Sequence, residues 1–206
     1  MTSMDPAHQA APALEPPTLT LPPQEAEAVK AAYETASVIL EYGSGGSTIL
    51  AASSAQRTVF SVESDAAWAK RLGLYLKQHP LPGRVRLHVV DIGKTAAWGK
   101  PVNDDGWRGY YHYPISVWDR PDFEAPDVIL IDGRFRAACF VTSALRITRE
   151  TVILWDDYIK RRSYHEVEKW MRPVAMHGRL ARFEVEPMKF DPGELAWMMK
   201  QFTRPL

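Results

Sequence analysis

Short runs of Val, Ile and Leu recur along the chain, separated by stretches whose apolar residues fall at helical spacing. The runs at 37–41, 58–63, 85–91, 127–132 and 151–156 predict five strands. Helices are expected over 24–36, just after a proline pair, over 48–55, over 65–78 (Trp68, Leu72 and Leu76 at i, i+4, i+8), from the fourth strand through Arg146, and around 165–171. Near-continuous apolar strands alternating with helices require a sheet covered on both faces, so the expected class is α/β, doubly wound and mainly parallel. At the end of the chain, 182–186 and 195–202 flank Pro187 to Gly193 and predict an antiparallel hairpin. The second arm fits a helix equally well.

Two segments break the alternation. Residues 1–23 are rich in Pro and Ala and are expected to form a flexible arm in which Leu19 and Leu21 could dock, leaving 24–206 as a single domain. Residues 92–126 make an unusually long connection holding Trp98, Trp107, Tyr110, Tyr111, His112, Tyr113 and Trp118. Such an aromatic-rich insertion reads either as a flap over the sheet edge or as a satellite hydrophobic cluster.

Composition narrows the function. Among 206 residues, 25 Lys plus Arg balance 25 Asp plus Glu, which argues against a general nucleic-acid or anionic-membrane binder. The single cysteine, Cys139, excludes a Cys-rich zinc site and suits an apolar helix core. No apolar run is long enough for a membrane span and no secretory signal is evident, so a cytoplasmic location is expected.

The chemistry gathers at the strand ends. Glu41, Glu63, Asp91, Asp132 and Asp156 close the five strands and put carboxylates on one sheet edge, where ligands of open parallel sheets bind. Each acid alone would suit a helix cap. The turn after the first strand, with Gly43, Gly45 and Gly46, lets backbone approach a ligand closely. Thr48 stands where a dinucleotide fingerprint has its third glycine, and the Gly-Lys-Ser/Thr ending of a phosphate loop is absent. Glu63, about 20 residues past the turn, is placed to accept ribose hydroxyls, and Asp91 to receive an adenine amine.

Glu41-x-Gly43-x-Gly45, followed by Glu63, Asp91 and Asp132 on successive strand ends, resembles the class I S-adenosylmethionine-dependent methyltransferases over about residues 24–206. The resemblance implies a Rossmann-like seven-stranded sheet of order 3-2-1-4-5-7-6 and S-adenosylmethionine as cofactor. It further implies that Glu41, Gly43 and Gly45 line the methionine and ribose, that Ser47 is the cofactor turn's third small position, where many relatives have Gly, that Glu63 holds the ribose diol, and that Asp91 with the Ile92 backbone reads adenine. Asp132 would face the methionine end or the acceptor.

Asp132, Asp156 and Asp157 should converge at neighbouring strand ends, and three hard oxygen donors suit Mg²⁺. The placement resembles metal-dependent catechol-type O-methyltransferases, with two departures: Asp157 stands where those have Asn, and Phe135 where they have a catalytic Lys. Asp132, Asp156 and His112 are the catalytic candidates, with His165, Tyr158 and Tyr164 behind them. Arg134, Arg136, Lys160, Arg161 and Arg162 read as solvated surface charge, or alternatively as an attractor for an anionic acceptor. Asp132-Gly133-Arg134-Phe135 stands where amino-methylating DNA or glutamine enzymes carry Asn-Pro-Pro-Tyr. The expected function is methyl transfer to a small-molecule acceptor, oxygen favoured over nitrogen. A non-catalytic methyltransferase-like binding protein and a nicotinamide-dependent oxidoreductase are the alternatives.

Overall fold

The computed structural model describes residues 14–205; the first part of the expected arm, 1–13, lies outside the described residues. Seven strands form one sheet: β1 (Val38–Tyr42), β2 (Thr58–Glu63), β3 (Arg84–Val89), β4 (Val128–Ile131), β5 (Thr151–Trp155), β6 (Ala175–His177) and β7 (Leu180–Val185). Their order is β3-β2-β1-β4-β5-β7-β6, as the resemblance implies. The first five pair in parallel, and β7 runs antiparallel to both β5 and β6.

Strand register explains why the apolar runs lack simple alternation. Leu40, Phe60, Ile129 and Ile153 enter one buried cluster, while their neighbours Ile39, Val59, Val128 and Leu154 enter another. Period-two alternation thus becomes two cores, one on each face. The second core is closed by α1 (Pro23–Glu34), through Val29 and Tyr33, and by α2 (Gly46–Ala51). The first is closed by α5 (Arg136–Arg146) and by aromatics of the insertion. Helix α3 (Ala66–Gln78) follows β2, with Asp65 as its N-cap accepting from the Trp68 amide at 2.9 Å.

The insertion is split: its aromatics join the main core rather than a satellite cluster, and another part reaches the sheet edge. Around α4 (His112–Ile115), Tyr110, Tyr113, Val117 and Trp118 are buried in the first core. Tyr42 pins them by donating to the Pro114 carbonyl at 2.7 Å and accepting from Trp118 Nε1 at 2.7 Å. Residues 97–100 instead reach the sheet's ligand edge.

The terminal hairpin differs from expectation. Residues 182–186 lie in or next to β7, whose partner β6 precedes it across the turn at Gly178 and Arg179. The expected second arm is α6 (Leu195–Gln201). Its Leu-Ala-Trp-Met-Met-Lys-Gln sequence has no β-branched residue, and helix formers decide the outcome. The expected helix around 165–171 is a short 3₁₀ segment, Tyr164–Lys169.

Residues 14–22 hold no regular structure but dock on the domain. Leu21 is buried in the second core, with Leu19 packed beside it. At Gly46 a Cβ would fall 2.2 Å from the Leu19 nitrogen and 2.4 Å from the Thr18 carbonyl carbon, so the strap passes directly over this glycine. Gly46→Ala is expected to lift the strap, accelerating hydrogen exchange of amides 18–21 and costing about 1–3 kcal/mol through overpacking. Unchanged exchange there would show that the strap is held elsewhere.

Candidate functional site

Strand order reverses between β1 and β4, and the loops after both strands meet there. Tyr42 is registered against Ile131, and Ile131 against Trp155, so Gly43, Asp132 and Asp156 emerge side by side. Gly43 has φ +103°, and a Cβ on it would sit 2.9 Å from the Gly133 nitrogen. A Cβ on Gly133 would sit 2.1 Å from Tyr113 Oη. Two glycines facing one another let the loops close without side chains between them. Gly43→Ala combines left-handed strain with a backbone clash, and a loss of about 2–4 kcal/mol is expected by thermal denaturation.

Glu63 is fixed on the wall of the cavity beside this crossing. Its Oε2 accepts from Ser44 Oγ at 2.7 Å and the Ser44 amide at 3.3 Å; its Oε1 accepts from the amides of Ser64 at 2.7 Å and Asp65 at 2.8 Å. Trp68 Nε1 donates to the Ser44 carbonyl at 2.9 Å, tying α3 to the turn. Gly43, Gly45, Ser47, Glu63 and Asp132 all line one cavity of about 950 Å³.

Three cofactor candidates lie off that cavity. Glu41 is fully buried beneath the turn, accepting from Tyr33 Oη at 2.8 Å and Thr48 Oγ1 at 2.6 Å. Burial raises its pKa despite those donors. Thr48 Oγ1 also accepts from the Gly45 amide at 3.0 Å, so the residue that departs from the dinucleotide fingerprint braces the turn on Glu41. Asp91 is exposed and caps the Gly93 amide at 2.8 Å. Ile92 is buried, its carbonyl 2.1 Å from where a Gly106 Cβ would be. β3 ends at Val89, two residues before Asp91, and the insertion folds over that end. Trp98, Gly99 and Lys100 line the cavity there, and Ser64 Oγ donates to the Gly99 carbonyl at 3.2 Å.

At the opposite end Asp132, Asp156 and Asp157 do converge, but on arginines. Arg179, from the β6–β7 turn, grips Asp156 through Nε at 3.0 Å and Nη2 at 2.8 Å and reaches Asp157 at 3.2 Å. Arg161 reaches Asp157 at 3.2 Å. Arg136, 3% exposed, donates to the carbonyls of Gly133 at 3.0 Å, Asp156 at 2.6 Å and Asp132 at 2.8 Å, and lies 3.1 Å from the Asp132 carboxylate. The Mg²⁺ expectation does not fit this donor set. The carboxylate oxygens of Asp156 and Asp157 already face guanidinium groups, and no cluster suited to a metal occurs among the described residues.

Asp132 is the least committed acid of the three. Its side chain keeps 30% exposure, yet the recess it opens into desolvates it enough to raise its pKa. Arg136 opposes that rise, and Asp156 and Asp157 add to it. Asp156 moves the other way: burial raises it, but the Arg179 hydrogen bonds and Arg136 bring its pKa below the usual value. The two neighbouring acids are thus pushed in opposite directions, Asp132 up to about 7 and Asp156 down, an arrangement typical of reactive sites.

The histidines lie elsewhere. His112 is exposed, its ring tilted against Tyr111, and does not line the cavity, so it is no candidate base here. His165 stacks on Tyr158, with Nε2 3.1 Å from the Tyr158 carbonyl. Tyr113 lines the cavity instead, a residue the sequence marked only as one aromatic among many. Among the described residues, the non-glycine residues with left-handed φ are Trp98, Phe135 and Asp157. Trp98 and Asp157 line the cavity, and Phe135 adjoins Arg134, which also does. Strain gathered at one cavity is a mark of a functional site.

No protein-family model matches the chain, and no curated protein does. Among solved structures, a methyltransferase-like protein from Silicibacter pomeroyi is 48% identical, with a TM-score of 0.89, over 92% of this chain and 99% of that one. The chain belongs to the class I S-adenosylmethionine-dependent methyltransferases. Two further methyltransferases share the fold alone. The O-methyltransferase TomG of Streptomyces achromogenes, solved with S-adenosylmethionine, is 15% identical over 81% of this chain and 79% of its own, with a TM-score of 0.53. A Geobacter sulfurreducens methyltransferase is 13% identical over 80% and 81%, with a TM-score of 0.51. Membership of the methyltransferase family sets aside the nicotinamide-dependent alternative. Among the described residues of this methyltransferase, no helix is long and apolar enough to cross a membrane.

Proposed function

We propose that this protein transfers the methyl group of S-adenosylmethionine to an oxygen of a small acceptor seated at the Asp132 end of the cavity. The observation that carries the reading is the continuity of one cavity from the Gly43 turn and Glu63 to Asp132. Strands lie about 4.8 Å apart, so Glu63 on β2 and Asp132 after β4 stand roughly 10 Å apart, room for a nucleoside and its sulfonium arm. When bound, S-adenosylmethionine would supply an electrophilic methyl group, whose bond to sulfur breaks as the acceptor oxygen bonds to its carbon from the opposite side.

The chain's own residues do the rest. Glu63 is fixed by three amides and a hydroxyl, and Oε2 is freed for a ribose hydroxyl when Ser44 Oγ rotates away from it. The Gly43–Gly133 contact keeps backbone close to the reacting atoms. Residues 97–100 and the strap flank the cavity and help keep water out. Asp132 accepts the proton of the attacking hydroxyl; a base with a raised pKa suits that task near neutral pH.

Calorimetry with S-adenosylhomocysteine tests the reading. Binding in the micromolar range is expected, weakened roughly 10- to 100-fold by Glu63→Ala, since hydrogen bonds to a charged group contribute about 1.5–3 kcal/mol. No heat at high micromolar ligand would end it.

A further inference from the structure

Four arginines stand at the acceptor end of the cavity: Arg134, Arg136, Arg161 and Arg179. Three of them are paired. Arg136 and Arg179 are held by the aspartates, and Arg161 is divided between Asp157 and Tyr164 Oη at 3.1 Å. Arg134 is different. Among the described residues its guanidinium forms no ion pair, and its Nε is buried with no hydrogen-bond partner.

A part-buried guanidinium without an anion is costly, because it gives up water and receives nothing in exchange. The surroundings increase the cost: burial and the positive charges of Arg136 and Arg161 all act against the Arg134 cation. Its backbone is held in place nonetheless. Gly133 before it is wedged between Gly43 and Tyr113, Phe135 after it takes φ +50°, and its own amide lies 3.4 Å from Tyr113 Oη. Four guanidinium groups against three carboxylates leave a positive surplus even with Asp132 ionised. Such a surplus on a fixed stem, facing a cavity, calls for an anion from outside the chain. A planar fork of N–H donors matches the paired oxygens of a carboxylate or a phosphate.

We infer that the methyl acceptor carries an oxyanion, a carboxylate or a phosphate, which docks on Arg134 beside Asp132. The inference rests on the methyl-transfer reading and narrows its substrate class. With the anion on Arg134, two residues from Asp132, the acceptor is gripped close to the group that takes its proton, and alignment follows from the grip. Neutral analogues of the same acceptor would reach the cavity without that anchor.

The test uses the full chain saturated with S-adenosylhomocysteine and titrates it calorimetrically with inorganic phosphate and, separately, with benzoate. At least one should bind. Arg134→Gln should weaken that binding tenfold or more, and Arg134→Lys, which keeps charge but loses the fork, by less. The stronger of the two probes tells a phosphorylated acceptor from a carboxylate one. If Arg134→Gln does not fold, the lysine variant decides, with an expected loss of at least threefold. Binding unchanged in the variants, or absent for both anions in the loaded wild type, would overturn the inference. So would a tenfold loss of S-adenosylhomocysteine affinity in Arg134→Gln with 5′-methylthioadenosine unaffected, because the arginine would then serve the cofactor's own carboxylate. Failure of the wild type to bind S-adenosylhomocysteine would instead bring down the methyl-transfer reading, and the acceptor assignment with it.

Discussion

Arg136→Ala is expected to cost the fold about 3–5 kcal/mol, the range for removing one partner of a buried ion pair. For a domain of this size that lowers Tm by roughly 6–20 °C. The residue is 3% exposed and its guanidinium serves two sets of acceptors at once. It bonds the carbonyls of Asp132, Gly133 and Asp156, which close the ends of β4 and β5, and it neutralises Asp132 with help to Asp157 at 3.4 Å. Alanine leaves three carbonyls and a carboxylate without their donor. Arg136→Met, which keeps the volume, should rescue little, because the loss is of donors and charge rather than of packing. The penalty should also depend on pH. Arg136 is what restrains the raised pKa of Asp132, so its removal raises that pKa further. A carboxyl whose folded pKa exceeds its unfolded value stabilises the fold below the unfolded pKa and loses that contribution as pH rises through the folded one. The variant should therefore be less impaired at pH 5 than at pH 8. A methionine variant as stable as wild type at both pH values would show that the cluster is not held by this arginine.

How much of this could be seen in the sequence depended on range. The strand ends were legible because apolar runs stop where an acid begins, and Glu63, Asp132 and Asp156 stand where the runs placed them. Asp91 misled, since Arg84–Val89 ends two residues short and lets the chain turn the acid outward. Glu41 obeyed the motif but sank beneath it, drawn by Tyr33 and Thr48 from elements that close the opposite face. The arginines were the least legible. Arg136 looks like the exposed start of a helix, and Arg179 reaches Asp156 only because β7 is inserted between β5 and β6. Nothing local in the sequence announces a pairing made by topology. The terminal hairpin was misplaced for a related reason: Ala175–His177, three residues long, is too short to signal a strand without β7 beside it.

Asp132→Asn is expected to lower kcat by about 10²–10⁴-fold, the usual contribution of a general base. The substitution keeps the shape of the side chain and one acceptor oxygen for Arg136, so affinity for S-adenosylhomocysteine should change little. What it removes is the proton site. In the wild type only the ionised carboxylate can act as the base, and burial together with Asp156 and Asp157 holds its pKa up, at about 7, against the pull of Arg136. Activity should accordingly be low at pH 5.5, climb through the neutral range and level off above it. Arg179→Ala offers an independent check. Without Arg179, Asp156 loses both of its charge-assisted hydrogen bonds and its pKa rises toward that of Asp132, so the rise in activity should move along the pH axis rather than vanish. If Asp132→Asn turned over at the wild-type rate, or if the wild-type profile were flat from pH 5.5 to 8.5, the proton would have to leave by another route, and Asp132 would be a wall of the cavity rather than its base.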